Sequence, residues 1–525
     1  MRKTVKKLTA VGLTVTSVLG LVACGSSKGT TSQGISENKE VTKPDTFTVM
    51  CDGTVVTETN GAEAFYKQLN EATGLDIKWT RPDHASYYDA VANAFNSDDT
   101  MPDVVLLSSD YYALYASNGF LWNMTDAWEH SETKNSGRLI STADNVLSAL
   151  MVNGEDGTKA MYGLSLYRGN GCCTYVKKAW LDKAGIDASK VKDVQMDFNT
   201  YYGYLKQMAQ TMGHYVISSP GFIHPEAPNT NYLPEFYQKA QYTFYKDTSG
   251  KYVDGFAQQE MKEALQRIQT AVNDGVIDKE SVNNSTANAR DKFYSTDPST
   301  ETGVFTYWAG TWANTLKTNL SNKGLDDELI AIKPIKELGA YTERIAPCWC
   351  ITSAAKNPEG IFKYFIDKML DGGDVQMLWT HGAKGTHWDD KAETVTVEKK
   401  EDQPKTYTEG QFHYLPGIEK PDQWQTKNHI DPILSIANFT NGYVGESLIP
   451  EVARENGEFF AENSQVAVPL PMTAELSNNI GDINTARTYV IAQVALGYMT
   501  VDEGMDYYNK TVGSLSNAVL KSLNK

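Results

Sequence analysis

From residue 46 to residue 117 the chain alternates between two periodicities. TFTVMC (46–51) sets apolar residues in the alternation of a strand, and GAEAFYKQLNEATG (61–74) returns them at helical spacing, with Gly74 as the stop. LDIKWT (75–80) predicts a second strand, HASYYDAVANAFNS (84–97) contains a second helix, and MPDVVLLSS (101–109) predicts a buried strand that leads into DYYALYASNGFLWNMTD. A β-α-β-α-β order with right-handed crossovers gives a parallel sheet with helices on both faces. Ligands of such sheets sit beyond the carboxyl ends of the strands. The first candidate binding residues are therefore Asp52, Arg81, Asp110 and Tyr111, which follow the three strands.

Further along, MYGLSLYRGNGCCTYVKKAWLDKAGI (161–186) is a strand-like run that passes a glycine-rich joint and ends in a helix carrying Trp180 and Leu181. FAQQEMKEALQRIQTAVNDGVID (256–278) predicts an amphipathic helix. YKDTSGKYVDG (245–255) lacks the Asp and Asn spacing of a calcium loop and predicts a hairpin turn. Between 387 and 424, ETVTVEK and KTYTEGQFHY flank a charged turn and predict a β-hairpin insert.

The N-terminal end has a different character. Arg2, Lys3, Lys6 and Lys7 precede an apolar run, Leu8 to Val22, that is too short to span a bilayer, which is the layout of a secretion signal. Residues 25–45 lack aromatics and hold one Ile and one Val, so a flexible tether is expected before a folded part that starts near Thr46. The remaining chain, roughly 480 residues, exceeds the size of one core, so at least two domains are expected.

Charge narrows the partners. The formal net charge is −17, and loss of a signal with four basic and no acidic residues takes it to −21. Such a surface repels nucleic acid and anionic lipid. Six cysteines include Cys24; the other five, Cys51, Cys172, Cys173, Cys348 and Cys350, are an odd number and imply no disulfide framework. No H-E-x-x-H pair is present, His381 and His387 read as loop or capping residues, and no phosphate-binding glycine loop occurs, so no catalytic residue, metal or cofactor is expected.

The last residues of the signal, Leu21, Val22, Ala23 and Cys24, resemble the lipobox of bacterial lipoproteins. Together with the polar tether, the first strand, Y-G-L…Y-V-K-K-x-W-L-D-K-A-G and KNPEGIFKYFIDKM (356–369), the chain resembles bacterial extracellular solute-binding proteins, the capture subunits of ABC importers, of the large sugar-associated family 1 type. The resemblance implies a signal peptide over 1–23, acylation of Cys24 (palmitate among the acyl chains), and a lipid-anchored tether over 24–45, on the extracellular face of the cytoplasmic membrane. It also implies a two-lobed, periplasmic-binding-protein-like α/β fold, each lobe a mainly parallel sheet flanked by helices. Lobe one would comprise 46–165 plus 303–343, and lobe two 166–302 plus 344–525 with the hairpin insert. Hinge strands would lie near Leu164 to Tyr175, near Phe305 and near Ile345 to Thr352, which would bring Cys172, Cys173, Cys348 and Cys350 close together. The implied partners are a membrane ABC permease and a small solute, with the chain itself a monomer and not an enzyme.

Composition favours a sugar as that solute. The chain has 29 Tyr and 10 Trp, and Tyr111, Tyr167, Tyr307, Trp308, Trp312, Trp349 and Trp388 fall where a cleft is expected. A sugar ring offers an apolar C–H face and a rim of hydroxyls, which aromatic platforms beside Asp52, Arg81, Asp110 and Arg168 would match. The same fold binding a peptide or another small solute is the alternative, and a secreted glycosidase, which needs a spaced carboxylate pair, is a third reading.

Overall fold

The computed structural model describes residues 41–53, 62–83, 86–136, 144–165, 169–222, 231–325, 328–371, 373–386, 388–389, 413–414, 451–468 and 470–525. Ten strands matter below: β1 (Thr46–Met50), β2 (Asp76–Thr80), β3 (Val104–Leu107), β4 (Gly163–Leu164), β5 (Cys172–Lys177), β6 (Val304–Trp308), β7 (Leu329–Ala331), β8 (Tyr341–Glu343), β9 (Cys348–Ile351) and β10 (Ser464–Val466).

The opening periodicities fold as the pattern predicts. Helix Ala62–Thr73 buries Phe65 and Leu69, and Gly74 ends it at φ 62°, the left-handed conformation glycine adopts without a Cβ penalty. The first sheet runs β2-β1-β3-β9-β4; β1 pairs in parallel with β2 and β3, and β9 is antiparallel to β3 and β4. Its core includes Val49, Phe65, Val91, Val104, Phe365 and Trp379.

A second sheet runs β6-β5-β7, with both neighbours antiparallel to β5. Helices Phe198–Met212, Gln259–Asn273, Ala474–Ala495 and Val501–Leu523 supply its core through Leu205, Leu265, Ile268, Val490 and Tyr508. A third apolar cluster around Tyr175, Phe293, Phe305 and Leu316 fills the other side of β5 and β6. All six residues of β5 are buried, which is why this strand reads as a continuous run without alternation.

Two crossovers join the sheets; residues 165 and 169–171 of the first and 344–347 of the second are described. Leu164 lies opposite Trp349, and Cys348 opposite Leu107, so both leave the first sheet at the edge where β1, β2 and β3 have their carboxyl ends. They run side by side: Arg344 N donates to Asn170 O at 3.0 Å, and a Cβ on Gly169 would lie 1.7 Å from Arg344 O. Gly169→Ala is therefore expected to force the crossovers apart and to cost about 2 kcal/mol or more of unfolding free energy, read by denaturant titration; a cost below about 0.5 kcal/mol would overturn this account.

Several expectations need correction. Residues 303–343 do not join the first sheet, because Val304 to Trp308 pair with Val176 to Cys172; Phe305 lies inside the second sheet and is no hinge. Residues 348–370 instead belong to the first core through β9, Ile361, Phe365 and Ile366. The three strands of the second sheet pair antiparallel, since β6 runs back toward the crossover from which β5 departs, and a single bridge from Val304 to Ile217 adds a parallel contact. The packed chain begins before Thr46: Val41 O accepts from the Tyr364 hydroxyl at 3.3 Å and Thr42 O from Asn357 Nδ2 at 3.0 Å.

The hairpin insert starts from the first unit, where Gln68 exchanges two hydrogen bonds with Lys384, each 2.8 Å. Its base pairs Trp388 with Tyr414 and Asp389 with His413, and its other residues lie outside the described ones. The chain re-enters the second unit at helix Glu451–Glu462, which packs on helix Thr311–Asn322. The 245–255 stretch is a hairpin turn as expected, with Phe244 opposite Asp254 and Asp247 capping Ser249 and Lys251. Residues 1–40, with Cys24, lie outside the described residues, among which no helix is long and apolar enough to cross a membrane.

Candidate functional site

The site is built where the two sheets meet. On the first sheet, Cys51 N donates to Thr80 O at 3.1 Å and Gly53 N to Pro82 O at 2.9 Å, which holds Asp52 beside the backbone of Arg81. The Tyr87 hydroxyl donates to Leu106 O at 2.7 Å and lies 3.2 Å from Met50 O, tying the ends of β1 and β3 and fixing helix Tyr87–Ala94 on this edge. That helix presents Tyr88, whose ring stacks on half-buried Tyr111 at 3.9 Å and 7°; the Tyr88 hydroxyl accepts from Ser108 N at 2.9 Å. Arg81 lies over the Tyr66 ring at 5.2 Å. Beneath these groups Cys51 is fully buried, and burial pushes its thiol up to about 12 against the smaller opposing effect of Arg81.

On the second sheet, Trp308 ends β6 opposite Cys172, the first residue of β5. The segment after it is held from three sides: Ala309 N donates to Gly171 O at 2.9 Å, Asn170 Nδ2 to Ala309 O at 3.0 Å, and Gly310 N to Asn456 Oδ1 at 2.7 Å. Asn456 Oδ1 also accepts from the Tyr175 hydroxyl at 2.9 Å. Gly310 sits at φ 66°, where a side chain would be strained, so the start of helix Thr311–Asn322 and the place of Trp312 are set by backbone. Arg344, on the second crossover, lays its guanidinium over the half-buried Trp308 ring at 4.4 Å. Arg290 does the same to Trp312 at 5.6 Å, and donates to the Tyr307 hydroxyl at 2.9 Å.

The structure thus collects Asp52, Arg81 and Tyr111 on one edge, and Trp308 and Trp312 on the other. Two expected residues go elsewhere. Trp349 is 3 % exposed and packs edge-on against Trp379 at 5.7 Å and Phe365 at 6.0 Å, because β9 is covered on both faces and strand alternation cannot turn a side chain outward. Tyr307 is also 3 % exposed, stacked on Phe305 at 5.0 Å inside the third cluster. Tyr167 and Arg168, and the side chains of Asp110 and Trp388, lie outside the described residues.

Tyr88, Arg290, Arg344 and Asn456 were missed. Tyr88 could have been found from its place in the first turn of a helix that starts at the ligand edge; Arg344 and Asn456 left no signal, since their partners are 36 and 146 residues away.

The four hinge cysteines divide between the sheets. Cys172 and Cys173 are in β5, and Cys348 and Cys350 in β9 beside Gly163 and Tyr112. All four are buried, and burial pushes the Cys173 thiol up to about 12 and raises those of Cys348 and Cys350, the behaviour of small apolar residues. Among the described residues no group of three or more His, Cys, Asp or Glu is placed to hold a metal ion.

No family profile and no curated protein matches this sequence. Solved structures do. The chain is similar to an HMO-binding, ABC-transporter-associated solute-binding protein from Bifidobacterium longum infantis, with a TM-score of 0.61, 15% identity, and 91% of this chain and 98% of that one covered. An N-glycan transport solute-binding protein, NgtS, from Streptococcus pneumoniae gives 0.59, 18%, 91% and 98%. An extracellular solute-binding protein of family 1 from Alicyclobacillus acidocaldarius gives 0.54, 14%, 91% and 100%. These likenesses cover about nine-tenths of the chain, and its fold is that of the periplasmic-binding-protein-like, extracellular solute-binding proteins.

Proposed function

We propose that the chain captures a carbohydrate of oligosaccharide size between its two sheet edges and delivers it to a membrane ABC permease, making and breaking no bond itself. The observation that carries this is the pairing, at the junction of the crossovers, of two aromatic platforms, Tyr88–Tyr111 and Trp308, with guanidinium and carboxylate groups beside them. Flat rings take the C–H face of a sugar while Asp52 and Arg81 reach its hydroxyls. The described structural neighbours that are named for HMO and N-glycan support the same cargo.

In this reading Asp52, Arg81, Tyr111, Trp308 and Trp312 contact the ligand, joined by Asp110, Tyr167, Arg168 and Trp388 from outside the described side chains. A ligand that touches both edges stabilises the arrangement in which they are close, by its differential affinity for that state. Acylation of Cys24 would keep the loaded monomer near its permease and raise the rate of encounter without any new contact.

Saccharides and short peptides, titrated into the purified protein, separate the readings. A matching oligosaccharide is expected to shift the tryptophan emission, to raise the unfolding midpoint with concentration, and to be recovered intact. Trp308→Ala should weaken that binding about tenfold, the effect of losing about 1.4 kcal/mol of stacking and burial. Response to peptides alone, or consumption of the sugar, would sink the proposal.

A further inference from the structure

Resting on the saccharide reading, we infer that the junction is selective for sugars that carry a carboxylate, and that Arg344 is the residue that reads it. Its backbone is fixed on both sides, by the hydrogen bond from Arg344 N to Asn170 O and by the close approach of Gly169 to Arg344 O. Its guanidinium is laid flat on Trp308 at 4.4 Å. Among the described residues, nothing accepts a hydrogen bond from that guanidinium and no carboxylate pairs with it, although the side chain is half-buried.

Three more deeply buried cations among the described residues are each neutralised. Lys177 meets Glu301 at 2.8 Å, Arg487 meets Asp254 at 2.9 Å, and Lys292 meets Asp278 at 2.7 Å. Among the described residues Arg290, over Trp312, also has no carboxylate partner and gives one hydrogen bond to Tyr307. Two unneutralised guanidinium groups thus flank residues 307–312 in a protein of formal net charge −17.

The chemistry of the group decides the class of ligand. A neutral sugar offers hydroxyls that both donate and accept, whereas a guanidinium only donates, through five N–H groups in a rigid plane. A carboxylate presents two acceptor oxygens in a plane and takes two of those donors at once. Stacking on the indole orients the fork before ligand arrives, which reduces the ordering cost of binding. The long-range repulsion of an anion by an acidic surface is screened within about 10 Å at ordinary salt, so short-range pairing at Arg344 governs affinity.

The test uses matched pairs: oligosaccharides of hexuronic acid and the same chains with each carboxyl reduced to the alcohol, titrated calorimetrically into the full chain. Wild-type protein is expected to bind the acid form at least about tenfold more tightly than the reduced form, as a charge-assisted pair requires. Arg344→Gln should abolish that preference, read as the ratio of the two affinities within the variant, and Arg344→Lys, which keeps the charge but loses the fork, should retain part of it. Near-UV circular dichroism of each variant confirms folding. Equal binding of both forms by wild type, or a preference that survives Arg344→Gln, overturns the inference and leaves saccharide capture standing. Failure of every saccharide, neutral or acidic, to bind removes the underlying reading and this inference with it.

Discussion

Asp254→Ala is expected to lower the unfolding free energy by about 3–5 kcal/mol, the usual cost of leaving a buried charge without its partner. Asp254 ends the 244–254 hairpin and is 3 % exposed. Its carboxylate accepts from Arg487 at 2.9 Å, from the Tyr508 hydroxyl at 2.7 Å, from Ser516 at 2.6 Å and from Phe256 N at 3.1 Å. It therefore ties the hairpin to both C-terminal helices. The Arg487 side chain is wholly buried, with the rings of Tyr242, Phe244 and Phe256 at 5.2, 5.1 and 5.9 Å from its guanidinium carbon. Those rings soften the cation's desolvation but cannot replace an anion. The double substitution Asp254→Leu with Arg487→Met removes both charges and should recover a large part of the loss, because the pair's attraction largely offsets its own desolvation. Urea titrations of the three variants read this directly; a loss under about 1 kcal/mol for Asp254→Ala would show that water or another anion reaches Arg487.

Glu235 gives the second large effect, and it depends on pH. This carboxyl is 1 % exposed, and burial raises it to about 7 from an ordinary 4.5; hydrogen bonds from Thr174 at 2.8 Å and Tyr341 at 3.4 Å only partly oppose the rise. Below pH 4.5 the group is protonated whether the chain is folded or not. Between 4.5 and 7 it stays protonated in the folded protein and ionises in the unfolded one, so unfolding releases a proton and stability falls as pH rises. The total is about 3 kcal/mol, at about 1.4 kcal/mol per pH unit. Glu235→Gln keeps an oxygen that accepts from Thr174 and cannot ionise. Its unfolding free energy minus that of wild type should climb by about 3 kcal/mol from pH 4.5 to pH 7.5 and then level. Parallel profiles would mean that Glu235 ionises in the folded state as an ordinary carboxyl does.

The legible part of the fold was the part governed by neighbours in sequence. Gly74 stopping a helix, Pro102 and Asp103 leading into VVLL, and the turn within YKDTSGKYVDG each act over a few residues, and each formed where its pattern stands. The placement of Asp52, Arg81 and Tyr111 on one edge followed too, because parallel strands joined by right-handed crossovers align their carboxyl ends. Pairings across long separations were not legible. Val304 against Val176, and Cys348 against Leu107, join segments 128 and 241 residues apart with no local signature of which sheet takes which strand. The misallotment of 303–343 and 344–370, and of the insert's base, came from that.

The candidate site divides along the same line. That tryptophans and tyrosines gather near the crossovers is a property of the chain as written, and so is the apolar, buried character of β5 and β9. Which of those rings stays accessible is not. Trp308 ends one strand and Trp349 is the second residue of another, both near a crossover, yet Trp349 is sealed by Phe365 and Trp379 while Trp308 is half-buried with Arg344 laid across it. Sequence by itself determined the strands and helices, the strand-end residues and the acidic charge, because those depend on periodicity and composition. The tertiary structure alone decided which sheet each distant strand joined, which aromatic was covered, and which arginine has no anion beside it among the described residues, because each of these depends on what packs against a side chain and the chain order does not encode that locally.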